Sequence, residues 1–161
     1  MSKKNKSDQQ NKSFKYNRHA EAIQWFSFKT RINENYEGGA GHFFPRRAIV
    51  NVFLGENVGH EQNGLRPAIV VSVDSNNRTH GNVAIVPLTK LQNKMRNGQV
   101  KLRKTQYILF RSKYPMLRYD SVALCEHLRV VSKARIGDLI GYVTPKDMKK
   151  IDRALRYFLA I

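Results

Sequence analysis

Gly59-His60-Glu61-Gln62-Asn63-Gly64-Leu65-Arg66-Pro67-Ala68-Ile69-Val70-Val71-Ser72 runs from glycine-rich polar loop straight into a β-branched apolar segment. The first half is turn material, and Pro67 to Val73 reads as a short strand. Working outward, Ala48 to Phe53 upstream and Asn82 to Leu88 downstream are runs of the same kind, again bounded by Gly, Asn and Asp. Gln99 to Arg103 alternates Val100 and Leu102 with Lys101 and Arg103, which predicts a strand with one wet, cationic face. Ser121 to Cys125, Leu128 to Val131 and Leu139 to Val143 continue the series, with Ser132 capping a brief turn over Lys133 to Ile136. Several short strands at close spacing predict a mainly β chain closed into a small barrel. Thr144 then supplies an N-cap and Pro145 a first helical position, and Met148, Ile151, Leu155, Phe158 and Leu159 form one apolar face, so a terminal helix closes the domain.

Upstream of the barrel the composition differs. Met1 to Ser13 is Lys, Asn, Gln and Ser with almost nothing to bury and reads as a mobile tail. Asn17 to Tyr36 has helical spacing: Ala20 with Ile23 and Ala22 with Phe26, beside a neighbouring face of Trp25, Phe28 and Ile32. A lone helix of this kind is marginal in water, so its aromatics should cover the main domain or a second subunit. The Gly38-Gly39-Ala40-Gly41 run reads as a linker, giving an extension over residues 1–41 and a barrel domain over 42–161.

The chain has 161 residues, 41% of them hydrophobic, which is one domain with an appendage and too apolar for a disordered polyelectrolyte. Lys and Arg number 29 against 12 acids, for a net charge of +17, so the expected partner is polyanionic. A lone Cys125 excludes an internal disulfide framework and a multi-Cys zinc site, favouring a reducing, cytoplasmic setting. No apolar run approaches the roughly 20 residues that span a bilayer, and the N-terminus lacks a signal-peptide core, so no membrane association is expected.

The loop from Gly55 to Pro67 gathers glycines, His60, Glu56, Glu61 and Arg66 between two strands, where binding groups usually sit. Gly59 to Ser72 closely resembles the signature loop and second strand of the MazF/PemK/Kid toxins of toxin–antitoxin systems. Val83-Ala84-Ile85-Val86-Pro87-Leu88-Thr89 is similar to that family's third strand, and Asp120 to Arg135 to its late strand pair and short helix. The resemblance spans roughly Arg47 to Ile161.

It implies an SH3-like barrel of the CcdB/MazF type, a homodimer that cleaves single-stranded RNA without metal or cofactor and is inhibited by an acidic antitoxin. Cleavage through the RNA's own 2′-hydroxyl needs a base, a cation for the dianionic phosphorane and an acid for the leaving 5′-oxygen. Arg66 supplies a permanently charged fork that can grip two phosphate oxygens, with Pro67 fixing how the loop enters the strand. By resemblance Arg66 is the central catalytic Arg and Thr89 the essential hydroxyl. His60 and Glu126 are the candidate base and acid, His60 matching the Kid-like branch and Glu126 a carboxylate proposed there as base. Leu124 stands where Kid-like members carry Arg, and Arg47-Ala48 where the family's first strand begins Gly-Asp or Gly-Glu. The blander readings are surface ion pairs, Arg66 with Glu61 and Glu126 with Arg129, and packing for Cys125. His127, His42, His80 and His19 show no ligand spacing and read as surface or nucleic-acid-contacting groups.

Between Lys90 and Arg118 lie nine cations and no acid, interleaved with Tyr107, Phe110 and Tyr114. Cations with flat rings suit a single strand of RNA, so Lys90, Lys94, Arg96, Lys101, Arg103 and Lys104 join Glu61 and Gln62 as expected RNA contacts. Lys104 to Lys113 reads as an insertion that sets which RNA is bound. A catalytically silent nucleic-acid-binding barrel and a CcdB-like gyrase inhibitor are the alternatives; neither requires Arg66 and Thr89 together.

Overall fold

The computed structural model describes residues 3–36 and 42–161; the predicted Gly38–Gly41 linker lies outside them. The order of elements is α1 (Lys3–Glu34), β1 (Ala48–Phe53), β2 (Leu65–Val70), α2 (Asp74–Thr79), β3 (Asn82–Lys90), β4 (Met95–Arg96), β5 (Gln99–Val100), β6 (Gln106–Leu109), β7 (Ser121–Leu124), β8 (Arg129–Ser132), β9 (Ile136–Tyr142) and α3 (Pro145–Leu159). Seven strands form one antiparallel sheet in the order β6-β7-β3-β2-β1-β9, with β8 on β3. The hydrogen-bonded path has two ends, β6 and β9, rather than closing on itself.

Nine-residue β3 organises the sheet. Its first half pairs with β8 through Asn82–Ser132 to Ile85–Arg129, its middle with β2, and its last three residues with β7. Period-two alternation sorts the side chains into two cores. Ile49, Ile69, Val86 and Leu88 point to the face that α3 covers with Met148, Ile151 and Ala154, while Ala48, Val50, Val52, Ala68, Val70 and Ile85 fill the other with Phe44 and Ile136. Thr144 Oγ1 accepts the Asp147 N–H at 3.3 Å, the expected cap of α3, and Ser132 Oγ accepts from Ala134. Arg47, where the resembling pattern has glycine, takes φ +77; its amide donates to Val70 O and its guanidinium to Val143 O, which hold the strained residue.

Four expectations change. The helix expected from Asn17 begins at Lys3, so most of the predicted tail is helical backbone. Gln99 to Arg103 is not a half-buried strand: only Gln99 and Val100 pair, with Met95 and Arg96. Asn97 and Gly98, both at positive φ, make the two-residue turn of that hairpin, which forms a separate two-stranded sheet and leaves Met95 and Val100 exposed. Lys104 to Lys113, read as an insertion, contains a strand that the sequence reading did not include: β6 lies within it and pairs along β7 from Gln106–Leu124 to Leu109–Ser121. Finally, Asp74–Thr79 forms a short helix between β2 and β3 where only turn material was read.

α1 docks on the sheet. Trp25 stacks on Phe53 at 5.3 Å and Phe28 packs on the same ring at 4.5 Å. The Arg135 guanidinium sits 4.7 Å over the Trp25 ring and donates to the Phe53 and Leu54 carbonyls at 3.0 and 2.7 Å. Ile23 and Phe26, on the other face, stay exposed. Gly55 follows directly, at φ +87, and a β-carbon there would lie 2.6 Å from the Trp25 indole.

Candidate active site

The strand register accounts for the central pair. Ala68 lies opposite Pro87 in the β2–β3 ladder, and continuing that register two residues brings Arg66 level with Thr89. Cross-strand partners share a face, and both residues line one groove of about 540 Å³ with Asn63, Asn93, Leu117 and Ser121. Arg66 Nε donates to the Asn63 carbonyl at 2.6 Å, which anchors the guanidinium by its inner nitrogen. Its two terminal nitrogens have no bond to protein among the described residues. Burial lowers the Arg66 pKa from its ordinary value, yet a guanidinium this basic stays charged. Thr89 is 8% exposed, and its hydroxyl accepts from Asn93 Nδ2 at 3.0 Å, leaving its own proton to donate into the groove.

Glu126 sits on the 3-10 turn Cys125–His127 between β7 and β8. One carboxylate oxygen accepts from Gln106 Nε2 on β6; the other is buried and has no hydrogen-bond partner among the described residues. Glu61, Gln62 and Glu126 line a second groove of about 350 Å³, separate from that of Arg66 and Thr89, together with His127 and Arg129. His60 is exposed and lines neither groove. Thus the loop is split: its end delivers Arg66 to one groove, Glu61 and Gln62 border the other, and His60 stands away from both.

Among the described residues no ion pair joins Arg66 to Glu61 or Glu126 to Arg129; those present include Arg46–Asp152 at 2.5 Å and Lys113–Asp147 at 2.7 Å. Cys125 is buried in the core, and that burial, with Glu126 and Asp152 nearby, pushes its thiol up to about 12, as fits packing. His127 is the residue the sequence reading set aside. It is half-buried, and burial lowers its imidazole pKa; Glu126 pulls the other way, while Lys94, Arg103 and Arg66 lower it further. His127 thus belongs to the Glu126 groove, and only its adjacency to Glu126 was visible in the sequence. Among the described residues no group of three or more His, Cys, Asp or Glu is arranged to hold a metal, and no helix is long and apolar enough to cross a membrane.

The basic run is divided as well. Lys94, Arg96, Lys101 and Arg103 line a groove of about 370 Å³ along the β4–β5 hairpin. Lys104 instead lies 5.4 Å over Tyr157 of α3, and Lys90 4.2 Å over Tyr119. Tyr107 and Tyr114, expected to stack on bases, turn inward. Both hydroxyls donate to Asp147, Tyr107 at 2.9 Å, and Lys113 Nζ joins them at 2.7 Å. Burial and the Asp147 contact push the Tyr107 hydroxyl up to about 12. Of the three rings only Phe110 is exposed.

Comparison with known proteins bears on this arrangement. The model of the PemK-like, MazF-like toxins of type II toxin–antitoxin systems matches residues 45–159, which leaves α1 outside it. The endoribonuclease MazF of Staphylococcus saprophyticus subsp. saprophyticus is 29% identical over 104 residues, 64% of this chain and 80% of that protein. MazF from Deinococcus radiodurans (Form-I) superposes with a TM-score of 0.60 at 21% identity, covering 74% of this chain and 99% of the other. An endoribonuclease from a mycobacterial species, solved with its cognate antitoxin, superposes with a TM-score of 0.56 at 24% identity, covering 73% and 96%. These two structures share the fold.

Proposed function

The chain belongs to the PemK-like, MazF-like toxins of type II toxin–antitoxin systems, and from that membership we propose that it is an endoribonuclease cleaving single-stranded RNA through the RNA's own 2′-hydroxyl. The observation that carries the reading is the pairing of Arg66 and Thr89 in one groove, a bidentate cation facing a free hydroxyl proton. A base takes the 2′-hydroxyl proton, the 2′-oxygen attacks the adjacent phosphorus, and the bond from phosphorus to the 5′-oxygen breaks as that oxygen takes up a proton from the protonated base or from solvent. The products are a 2′,3′-cyclic phosphate and a 5′-hydroxyl, with no water consumed. Arg66 binds the phosphorane oxygens whose charge grows in the transition state, and Thr89 donates to one of them.

Glu126 is the base on this reading: it borders the neighbouring groove with Glu61 and Gln62, one of its oxygens has no hydrogen-bond partner among the described residues, and RNA that spans the two grooves brings its 2′-hydroxyl toward that carboxylate. His60, exposed and outside both grooves, is assigned a role in substrate contact at most. Glu61 and Gln62 border the Glu126 groove and Lys94, Arg96, Lys101 and Arg103 track the strand along the hairpin. The chain acts in the cytoplasm as a homodimer, and an acidic antitoxin neutralises this cationic surface. A silent RNA-binding barrel or a gyrase inhibitor leaves Arg66 and Thr89 without a task.

The test is incubation with a long RNA in EDTA, followed by analysis of the new ends. Cleavage persists, leaves a 2′,3′-cyclic phosphate and a 5′-hydroxyl, and stops when the target ribose is replaced by deoxyribose. Strict Mg²⁺ dependence or a 3′-hydroxyl product refutes the reading.

A further inference from the structure

Beside the Arg66–Thr89 groove lies another of about 410 Å³, between the turn that follows β3 and the loop that precedes β7. The two share a wall: Lys90, Arg118 and Tyr119 line both, while Arg111, Leu91 and Asp120 belong to the second. Lys90 Nζ stands 4.2 Å from the Tyr119 ring centroid and the Arg118 guanidinium 5.3 Å from it. One carboxylate faces them. Asp120 Oδ1 accepts the Arg111 N–H at 2.6 Å and the Asp120 carbonyl accepts the Leu91 N–H at 2.8 Å, so this residue ties the two edges of the groove together. Among the described residues no ion pair joins Lys90, Arg111 or Arg118 to an acid. Three cations and a single carboxylate therefore line this groove, with two of the cations over one partly exposed ring.

Such a set matches a nucleotide. The cations suit a phosphodiester, and a phosphate that draws Lys90 or Arg118 off the ring frees its face for a base. We propose that this groove is a nucleotide subsite next to the scissile phosphate, with the base stacked on Tyr119 and the phosphate held by Lys90, Arg111 and Arg118. The proposal rests on the Arg66–Thr89 groove being the cleavage site, because the shared wall is what makes the two nucleotides neighbours. It also assigns the stacking role to a ring outside the interleaved set, two members of which are engaged with Asp147.

The test compares RNA lengths. Oligouridylates of two, four and six nucleotides with 2′-deoxyribose throughout measure affinity, and ribose oligonucleotides of the same lengths, centred on a cleavage site mapped in a long RNA, measure single-turnover kcat/KM. Lengthening strengthens both for the native protein. In Tyr119→Ala and Arg111→Gln the gain from lengthening falls roughly tenfold, the size of one lost base stack or phosphate contact, while Tyr119→Phe keeps it. Circular dichroism and Tm establish that the variants are folded. A long-to-short ratio in Tyr119→Ala and Arg111→Gln equal to the native ratio overturns the subsite. If the native protein cleaves no RNA yet its deoxy-oligomer binding shows the same loss in the variants, the cleavage reading falls and with it the groove's place beside a scissile phosphate, while nucleotide binding at Tyr119 stands.

Discussion

Replacing Arg66 by alanine tests the proposed chemistry most directly, and the structure sets the size of the effect. The side chain contributes one intramolecular hydrogen bond, Nε to the Asn63 carbonyl, so its loss costs the fold only about 0.5–1.5 kcal/mol. In a chain of this size that lowers Tm by a few degrees, roughly 2–4 °C per kcal/mol. Its terminal nitrogens, by contrast, have no partner among the described residues, and the side chain lines the groove shared with Thr89. If they bind charge that appears mainly in the transition state, their removal costs about 3–4 kcal/mol and lowers single-turnover cleavage at saturating RNA by roughly 10²–10³. Arg66→Lys restores a point charge but neither the two-pronged grip nor the Asn63 anchor, so it recovers only part of the loss, about tenfold. Thr89→Val keeps the shape of the buried side chain and removes the hydroxyl, and its cost combined with Arg66→Ala is less than additive because both act on one phosphate. The assay is cleavage of a short RNA in EDTA, with folding followed by circular dichroism. An Arg66→Ala protein that is folded and within about threefold of native activity refutes the assignment.

Two further outcomes follow from the packing. Asp147 is 4% exposed; burial alone would raise its pKa, but bonds from Lys113, Tyr114 and Tyr107 hold it at about 2. A depressed folded pKa stabilises fully above the unfolded value near 4 and is lost as pH falls toward 2, so Asp147→Asn should cost about 2 kcal/mol at pH 7 and only about 1 at pH 3 in urea unfolding at fixed protein concentration. A cost that does not change with pH shows that the charge of Asp147 is not what holds α3 to β6. Gly55→Ala meets both φ +87 and the Trp25 ring, and should destabilise by about 2–3 kcal/mol, falling to about 1 in a Trp25→Ala background where only the backbone strain remains; equal costs in the two backgrounds would mean the ring gives way freely.

The strands of the sheet's centre were legible because β1, β2 and β3 are β-branched runs buried on both faces, and α3 because Thr144, Pro145 and its apolar stripe signal a helix together. β6 was hidden for a physical reason: buried Thr105 and Gln106 are polar, with Gln106 turned toward Glu126 20 residues away, and cations flank the strand on either side. Tyr107 and Tyr114 looked like stacking rings because nothing local reveals Asp147, more than 30 residues on, which claims both hydroxyls. Arg66 and Thr89 were each picked out by their motifs, but their meeting is a matter of register, which no single segment contains. The start of α1 was missed since Lys3 to Lys15 carries neither cap nor periodic apolar residues, and the Tyr119 groove since its cations come from three separate stretches of chain.

Trp25 is the only tryptophan in the chain. Its indole packs on the Phe53 ring, carries the Arg135 guanidinium over it, and lies against Gly55, where the loop that leads to Arg66 begins. The protein therefore carries a built-in optical probe at one known place. Its emission reports whether α1 is seated on the sheet, without any label, and a shift in emission on adding RNA would put the helix and the loop in motion together, whereas an unchanged spectrum would make α1 a fixed buttress.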